Sequence, residues 1–170
     1  MPGPAAGPVP GQAPGRGGGG PGRGPGPGGG GDTLRFLRSL NTHLHQHWGQ
    51  LFRADGDPWH PERTLLERQG ACRDLAVLFM AACRCQGLPA RFVSGYQADA
   101  PLEEAHQLHA WAEVYLPGAG WRGYDPAQGL TVAERHVALA AGPTYELGRP
   151  TEGTFRCTGA LSTLKAQIST

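Results

Sequence analysis

Three residues stand in an order that could carry out chemistry: Cys72, His109 and Asp125. A thiolate attacks carbonyl carbon, an imidazole can take and return the proton, and a carboxylate can hold that imidazole in its productive tautomer. Cys72 lies in Gly70-Ala71-Cys72-Arg73-Asp74, at the opening of an apolar helical stretch. His109 opens an alternating segment, and Asp125 closes the next one, just before Pro126. A thiol in the first turn of a helix meets the positive end of the helix dipole and backbone N–H groups with no internal partner, and both favour the thiolate. Those N–H groups, that of Cys72 included, could hold the oxyanion of a tetrahedral intermediate, at about 3 kcal/mol per donor. Trp48, Trp59 and Gln69 are candidate side-chain donors.

Each residue has a plainer reading. Free cysteine is common as a small core hydrophobe, a histidine on a strand is usually structural, and an aspartate before proline is usually a turn former. Joint order and spacing favour the chemical reading. Cys83 lies about three turns beyond Cys72 on the same helix and reads as core packing, while Cys85 and Cys157 have no basic partner. His43, His45 and His47 invite a metal reading, yet only His43 and His47 share a helix face, and two imidazoles without a third ligand make a poor zinc site, so a solvated face is expected. Glu103-Glu104 and His106 read as a solvated loop or a site rim.

The elements that must position the three residues follow from periodicity. Asp32 or Thr33 can cap a helix whose apolar positions Leu37, Leu40, Leu44, Trp48 and Leu51 recur at three- and four-residue steps. Asp55-Gly56-Asp57-Pro58 breaks it, and Thr64 is a candidate cap for a short turn leading to Gly70. A second helix is predicted from about Cys72 to Gln86, with Leu75, Leu78, Phe79 and Ala82 facing inward and Gly87 in a left-handed cap. Residues 90–97, 110–116 and 121–125 read as strands, with a Pro117-Gly118 turn joining the last two. Residues 136–140 are a candidate further strand or a helical turn, and 154–157 one more strand. Helices followed by mainly antiparallel strands make an α+β pattern.

A hairpin centred on Pro117 would set His109 directly opposite Asp125, with Cβ atoms about 4.5–5.5 Å apart. It would also set Trp111 opposite Gly123, leaving room for the ring near the site and making Trp111 a further cleft candidate. A half-residue shift of the turn centre would put His109 and Asp125 on opposite faces.

Composition bounds the rest. Of 170 residues the first 31 hold 15 of the 28 glycines, 8 of the 16 prolines and no acidic residue. Residues 1–31 are therefore expected to be a disordered Gly/Pro-rich leader, or a start codon placed too early, because such a segment buries too little apolar surface to offset chain entropy. It has neither the apolar run of a signal peptide or membrane helix nor the Gly period of collagen. Residues 32–170 suit one domain. Setting aside Arg16 and Arg23 leaves 13 basic against 14 acidic side chains, a balance that recommends neither nucleic acid nor an anionic membrane as partner. The four cysteines show no Cys-x-x-Cys pair, so reduced thiols and a cytoplasmic location are expected.

The motifs Gly70-Ala71-Cys72-Arg73-Asp74-Leu75-Ala76, Ala90-Arg91-Phe92-Val93-Ser94-Gly95-Tyr96, His109-Ala110-Trp111-Ala112-Glu113-Val114-Tyr115, Gly120-Trp121 and Tyr124-Asp125-Pro126 resemble the core of the bacterial transglutaminase-like superfamily. The resemblance runs from about Thr33 to the C-terminus. It implies a papain-like α+β core with N-terminal helices packed on the sheet, Cys72, His109 and Asp125 as the triad, and no metal or other cofactor. Two departures stand out: relatives often carry an N-terminal β-rich domain where this chain has its Gly/Pro tract, and Ala127-Gln128 replaces the Thr-Asn often found after Asp-Pro. The implied reaction is acyl transfer through a Cys72 thioester on a protein or peptide substrate. Hydrolysis, as a cysteine protease or amidase, is preferred, because no amine-binding domain is identifiable. Protein-glutamine cross-linking to an amine is the alternative, and a catalytically inactive peptide-binding module is a third reading. Oligomeric state is not legible.

Overall fold

A computed structural model of the chain describes residues 29–53, 56–98 and 108–151. The leader up to residue 28, the Glu103-Glu104 and His106 segment, Cys157 and the strand expected over 154–157 lie outside the described residues.

Helix α1 runs Gly29–His47. It starts ahead of the expected cap, so Asp32 sits in its first turn, where a carboxylate complements the dipole. Leu37 and Leu44 are buried and Leu40 packs against them from a half-buried position, each fully buried leucine contributing roughly 1.5–3 kcal/mol. Trp48 follows directly, its indole N–H donating to the Thr64 carbonyl at 3.0 Å. The chain then forms a short parallel pair that periodicity did not reveal: β1 (Gly49–Gln50) beside β2 (Gln69–Gly70). Between them lies α2 (Pro61–Glu67), which begins earlier than expected. His60 is its cap, Pro61 opens it, and Thr64 is a buried residue in its interior. Arg68 ends it in the left-handed conformation at φ 49°.

Helix α3 spans Cys72–Cys85, with Gly87 beyond it at φ 74° as expected of a helix stop. Its inward stripe is Leu75, Ala76, Leu78, Phe79, Met80 and Cys83, while Ala82 is half-buried. Burial pushes the Cys83 thiol up to about 12, as befits a core residue. Ala71 at the N-cap has no side-chain acceptor, and Asp74 at the third helical position supplies the missing partner by accepting from the Ala71 N–H at 2.7 Å.

The helices pack on a five-stranded antiparallel sheet ordered β6-β5-β4-β3-β7, formed by β3 (Ala90–Gln97), β4 (His109–Leu116), β5 (Gly120–Asp125), β6 (Leu130–Thr131) and β7 (His136–Gly142). Alternation puts Phe92, Ala110, Ala112, Val114, Leu116 and Tyr124 into the core with α3, Phe79 stacking on Tyr124 at 5.5 Å. The short segment 136–140 is thus part of an edge strand, not a helical turn. The architecture is α+β.

The hairpin is centred on Gly118, not Pro117. Ala112 faces Tyr124 and Glu113 faces Gly123, so Gly123 lies beside Val132 and not beside the Trp111 ring. His109 pairs instead with Gly95 on β3. Because the centre moved by a whole residue, facing parity is kept: His109, Trp111 and Asp125 remain on one face, with His109 and Asp125 diagonal neighbours.

Gly95 is where three strands close on one another. A Cβ there would lie 2.1 Å from the Val137 carbonyl oxygen and 2.6 Å from the Trp111 ring. Gly95→Ala is expected to cost about 2–3 kcal/mol through forced strand separation, read as a lowered urea midpoint. A change under about 0.5 kcal/mol would show that β7 does not need this close approach.

Candidate active site

Cys72, His109 and Asp125 meet at one end of the sheet, where β3 finishes, β4 begins and the turn after β5 starts. The His109 Nε2 lies 2.6 Å from Asp125 Oδ2, and Cys72 lines the same cleft as His109, close enough to favour the protonated ring. Since Nε2 is engaged by the carboxylate, Nδ1 is the nitrogen left for the sulfur. Cys72 is the first residue of α3 and only partly buried.

Two anchors fix this geometry. On the helix side, the fully buried Asp74 carboxylate accepts from Arg53 Nη2 at 2.6 Å, from the Trp59 N–H at 2.7 Å and from the Ala71 N–H. One side chain thereby ties the loop after β1, the approach to α2 and the residue preceding Cys72. On the sheet side, Asp125 is 0% exposed. Its Oδ1 accepts from the backbone N–H groups of Ala127 at 3.0 Å and Gln128 at 3.2 Å. The turn that carries those donors is held from α1 and β1: Asn41 donates to the Leu130 carbonyl at 3.0 Å, His45 Nδ1 to that of Ala127 at 2.9 Å, and the Gln50 amide of β1 to the same Ala127 oxygen. Gly129, at φ 70°, leaves the space His45 occupies, since a Cβ there would come within 2.8 Å of its ring.

Electrostatics follow from burial and pairing. Burial alone would lower the basicity of His109, but its hydrogen bonds to Asp125 and Cys72, with their charges, prevail and raise it from an ordinary 6.5 to about 10. Burial opposes ionisation of Asp125, yet the hydrogen bonds from His109 and His136 bring it from 3.8 down to about 2. At neutral pH the pair is an imidazolium against a carboxylate.

Sequence reasoning missed His136. From β7 its Nε2 reaches Asp125 Oδ2 at 3.1 Å, and its side chain is 2% exposed. The ligand atoms of His109, Asp125 and His136 all lie within 4.8 Å of one another, a spacing a metal could use. Hydrogen bonds already account for it, and a cation would have to displace both Nε2 protons. The His43 and His47 rings lie tilted to each other with centroids 4.5 Å apart on the exposed side of α1, with no third ligand among the described residues.

Four cleft candidates do not line the space around Cys72. The Trp48 indole is spent on Thr64. The Trp59 ring is covered by the guanidinium groups of Arg53 and Arg63, at 4.7 and 4.0 Å from its centroid. Gln69 is half-buried in the parallel strand pair. Trp111 is fully buried against both imidazoles, its ring 5.2 Å from His136 and 6.2 Å from His109, with an unpartnered Nε1. The cleft instead has two lobes that share Cys72 and His109. One, of about 340 Å³, is lined by Phe52, Phe92, Tyr145 and Arg149; the other, of about 360 Å³, by Gln50, Gln97, Ala127 and Gln128. The amides of Gln97 and Gln128 pair across the second lobe at 2.6 Å. Gln50 lines this lobe from β1, whose parallel pairing with β2 is invisible to local periodicity.

This helix-and-sheet arrangement is that of the papain-like, transglutaminase-like folds. Residues 28–126 match the model of the transglutaminase-like superfamily, and the chain belongs to that superfamily. The protein Rv2569c of Mycobacterium tuberculosis (strain ATCC 25618 / H37Rv) is 35% identical over 100 residues, 53% of this chain and 32% of the relative. A protein-glutamine gamma-glutamyltransferase of Pseudomonas aeruginosa is 39% identical over 67 residues, 35% of this chain and 10% of that enzyme. Among solved structures, a candidate cysteine protease from Cytophaga hutchinsonii superposes with a TM-score of 0.59 at 25% identity, over 68% of this chain and 38% of the other. LapG of Legionella pneumophila shares the fold at a TM-score of 0.53 and 14% identity, over 64% of each chain. The chain spans about a third of the length of the mycobacterial relatives it matches.

The shifted groups set a pH window for folding. The raised basicity of His109 contributes stability that is complete below about 6.5 and lost as pH rises through about 10, while the lowered Asp125 contributes above about 3.8 and is lost as pH falls toward about 2. Unfolding free energy should therefore be highest between these limits and decline on the alkaline side. In His109→Asn the alkaline decline between pH 7 and 10 should be much reduced, as measured by urea denaturation across that range.

Proposed function

We propose that the protein is a thiol-dependent acyl-transfer enzyme acting on peptide or glutamine carboxamide bonds, with Cys72, His109 and Asp125 as its catalytic triad. The observation that carries this reading is His109, bonded to the carboxylate of Asp125 at 2.6 Å and lining both lobes of the cleft together with Cys72.

In the first step the Cys72 sulfur forms a bond to the substrate carbonyl carbon and the C=O electron pair moves onto oxygen. The Cys72 N–H, at the first position of α3 where no intrahelical acceptor exists, is placed to receive the oxyanion, and the Gln50 amide on the cleft wall is a second candidate donor. As the carbonyl re-forms, the C–N bond breaks and His109 passes its proton to the departing amine or ammonia. Water then adds to the thioester, giving a proton to His109, and the sulfur leaves. Asp125 keeps the imidazole in one tautomer throughout and stabilises its charge. The two lobes flanking Cys72 would seat the acyl and the leaving sides of a protein or peptide substrate, and hydrolysis is the preferred outcome. Similarity over 67 residues to a protein-glutamine gamma-glutamyltransferase supports a second reading, in which an amine replaces water as acceptor. The three described cysteines are free thiols, in keeping with the proposed cytoplasmic setting.

Incubation with a glutamine-containing peptide, with and without a primary amine, followed by mass spectrometry separates the outcomes. Deamidation, backbone cleavage and amine incorporation each give a different mass. Cys72→Ala should lower any of these by at least about a thousandfold while leaving the far-ultraviolet circular dichroism intact. Turnover that survives this change would overturn the assignment.

A further inference from the structure

We propose that His136 is a positioning residue for the reaction above, holding the Asp125 carboxylate in the orientation that fixes the imidazole of His109; the inference rests on the function proposed for that site.

Ser94 pairs with Ala140 and Gly95 with Ala138, so β7 passes over Leu139 in a β-bulge. Side chains alternate along a strand, and a one-residue slip reverses every facing beyond it. Without the bulge, His136 would point to the opposite side from Gly95 and its partner His109. With it, His136, Ala138, Gly95 and His109 share a face. The close approach this needs is the one Gly95 permits, with Val137 backbone lying where a Cβ would stand.

The result is a carboxylate with four donors. Two backbone N–H groups of the following turn fill Oδ1, and the imidazoles of His109 and His136 fill Oδ2 at 2.6 and 3.1 Å. An ionised carboxylate accepts only, so both Nε2 atoms carry protons toward it. The Trp111 ring packs edge-on to His136 at 5.2 Å and limits its rotation. The two imidazoles are the hydrogen-bond donors seen on Oδ2 among the described residues. Removing the His136 donor leaves a buried lone pair unfilled and frees the carboxylate to swing about its own axis, taking the His109 ring with it. His136 lines neither lobe of the cleft, so its effect should fall on kcat rather than on binding.

The test compares His136→Leu, which removes the donor at similar volume, with His136→Gln, whose amide reaches about as far as Nε2. In the wild-type protein the 2.6 Å bond should give a low-field proton resonance from His109 Nε2–H. Expected for the Leu variant are a kcat reduced about 10- to 100-fold, KM within about twofold, and a moved or lost resonance. The Gln variant should recover most of the rate and return the resonance. Equal impairment of both variants when both fold, or a Leu variant with unchanged kcat and resonance, would overturn the proposal. If Leu prevents folding, His136→Asn, whose amide falls short of Asp125, takes its place in the comparison. If the wild-type protein turns over no peptide, the functional reading fails, and the resonance alone decides the positioning role.

Discussion

The site depends on one buried carboxylate. Asp125 is removed from water, a placement that would cost several kcal/mol if the charge stood alone, and its lone pairs are met by four donors from three parts of the chain. The strand β4 supplies one imidazole, β7 the other, and the turn after β5 two backbone N–H groups. These elements are non-local to one another, so the carboxylate is satisfied only when the sheet has closed in its final register. Ionisation of Asp125 and protonation of His109 are therefore consequences of the fold.

A second buried carboxylate does comparable work for Cys72. Asp74 stands outside the proposed triad, but its three donors come from the loop after β1, from Trp59 and from the N-cap of α3. The first helical turn, and Cys72 with it, is thus held to the wall of the cleft instead of fraying, as helix ends without a side-chain cap tend to do. Ala71 cannot cap; Asp74 compensates from within the helix. The sulfur and the imidazole are each positioned by an acidic residue that is fully buried, and the two acids reach the site through separate networks that meet in the cleft Cys72 and His109 share.

How much of this could be read from the chain follows from what is local. The 3.6-residue stripe of Leu75, Leu78 and Phe79 and the stop at Gly87 define α3, and with it the place of Cys72. Alternation from Ala110 to Leu116 defines β4. By contrast, β1 and β2 are two residues each, too short for any period, and their pairing spans α2. Gln50 therefore reaches the cleft without a local signal, while Trp48 and Trp59, the more conspicuous candidates, are taken up by the Thr64 carbonyl and by two arginines. Asp74 could have been noticed, since an acid at the third helical position is half of a capping box, but its roles toward Arg53 and Trp59 are tertiary.

The register of the β4–β5 hairpin shows why a site can survive an imperfect reading of the strands that carry it. A tight turn with Pro117 and Gly118 can be centred on either residue, and only the positive φ of Gly118 and Gly120 settles the loop at Gly118. Moving the centre by a whole residue slides the strands but preserves which side chains share a face, so His109 and Asp125 stay together although they are no longer directly opposed. The β3–β7 pairing behaves in the contrary way. There a single extra residue, Leu139, reverses facing, and the histidine it turns inward sits in a segment, His136-Val137-Ala138-Leu139-Ala140, whose alternation points to nothing in particular. Parity protects a pair of residues within one hairpin, whereas a bulge on a distant edge strand decides whether a third residue can join them.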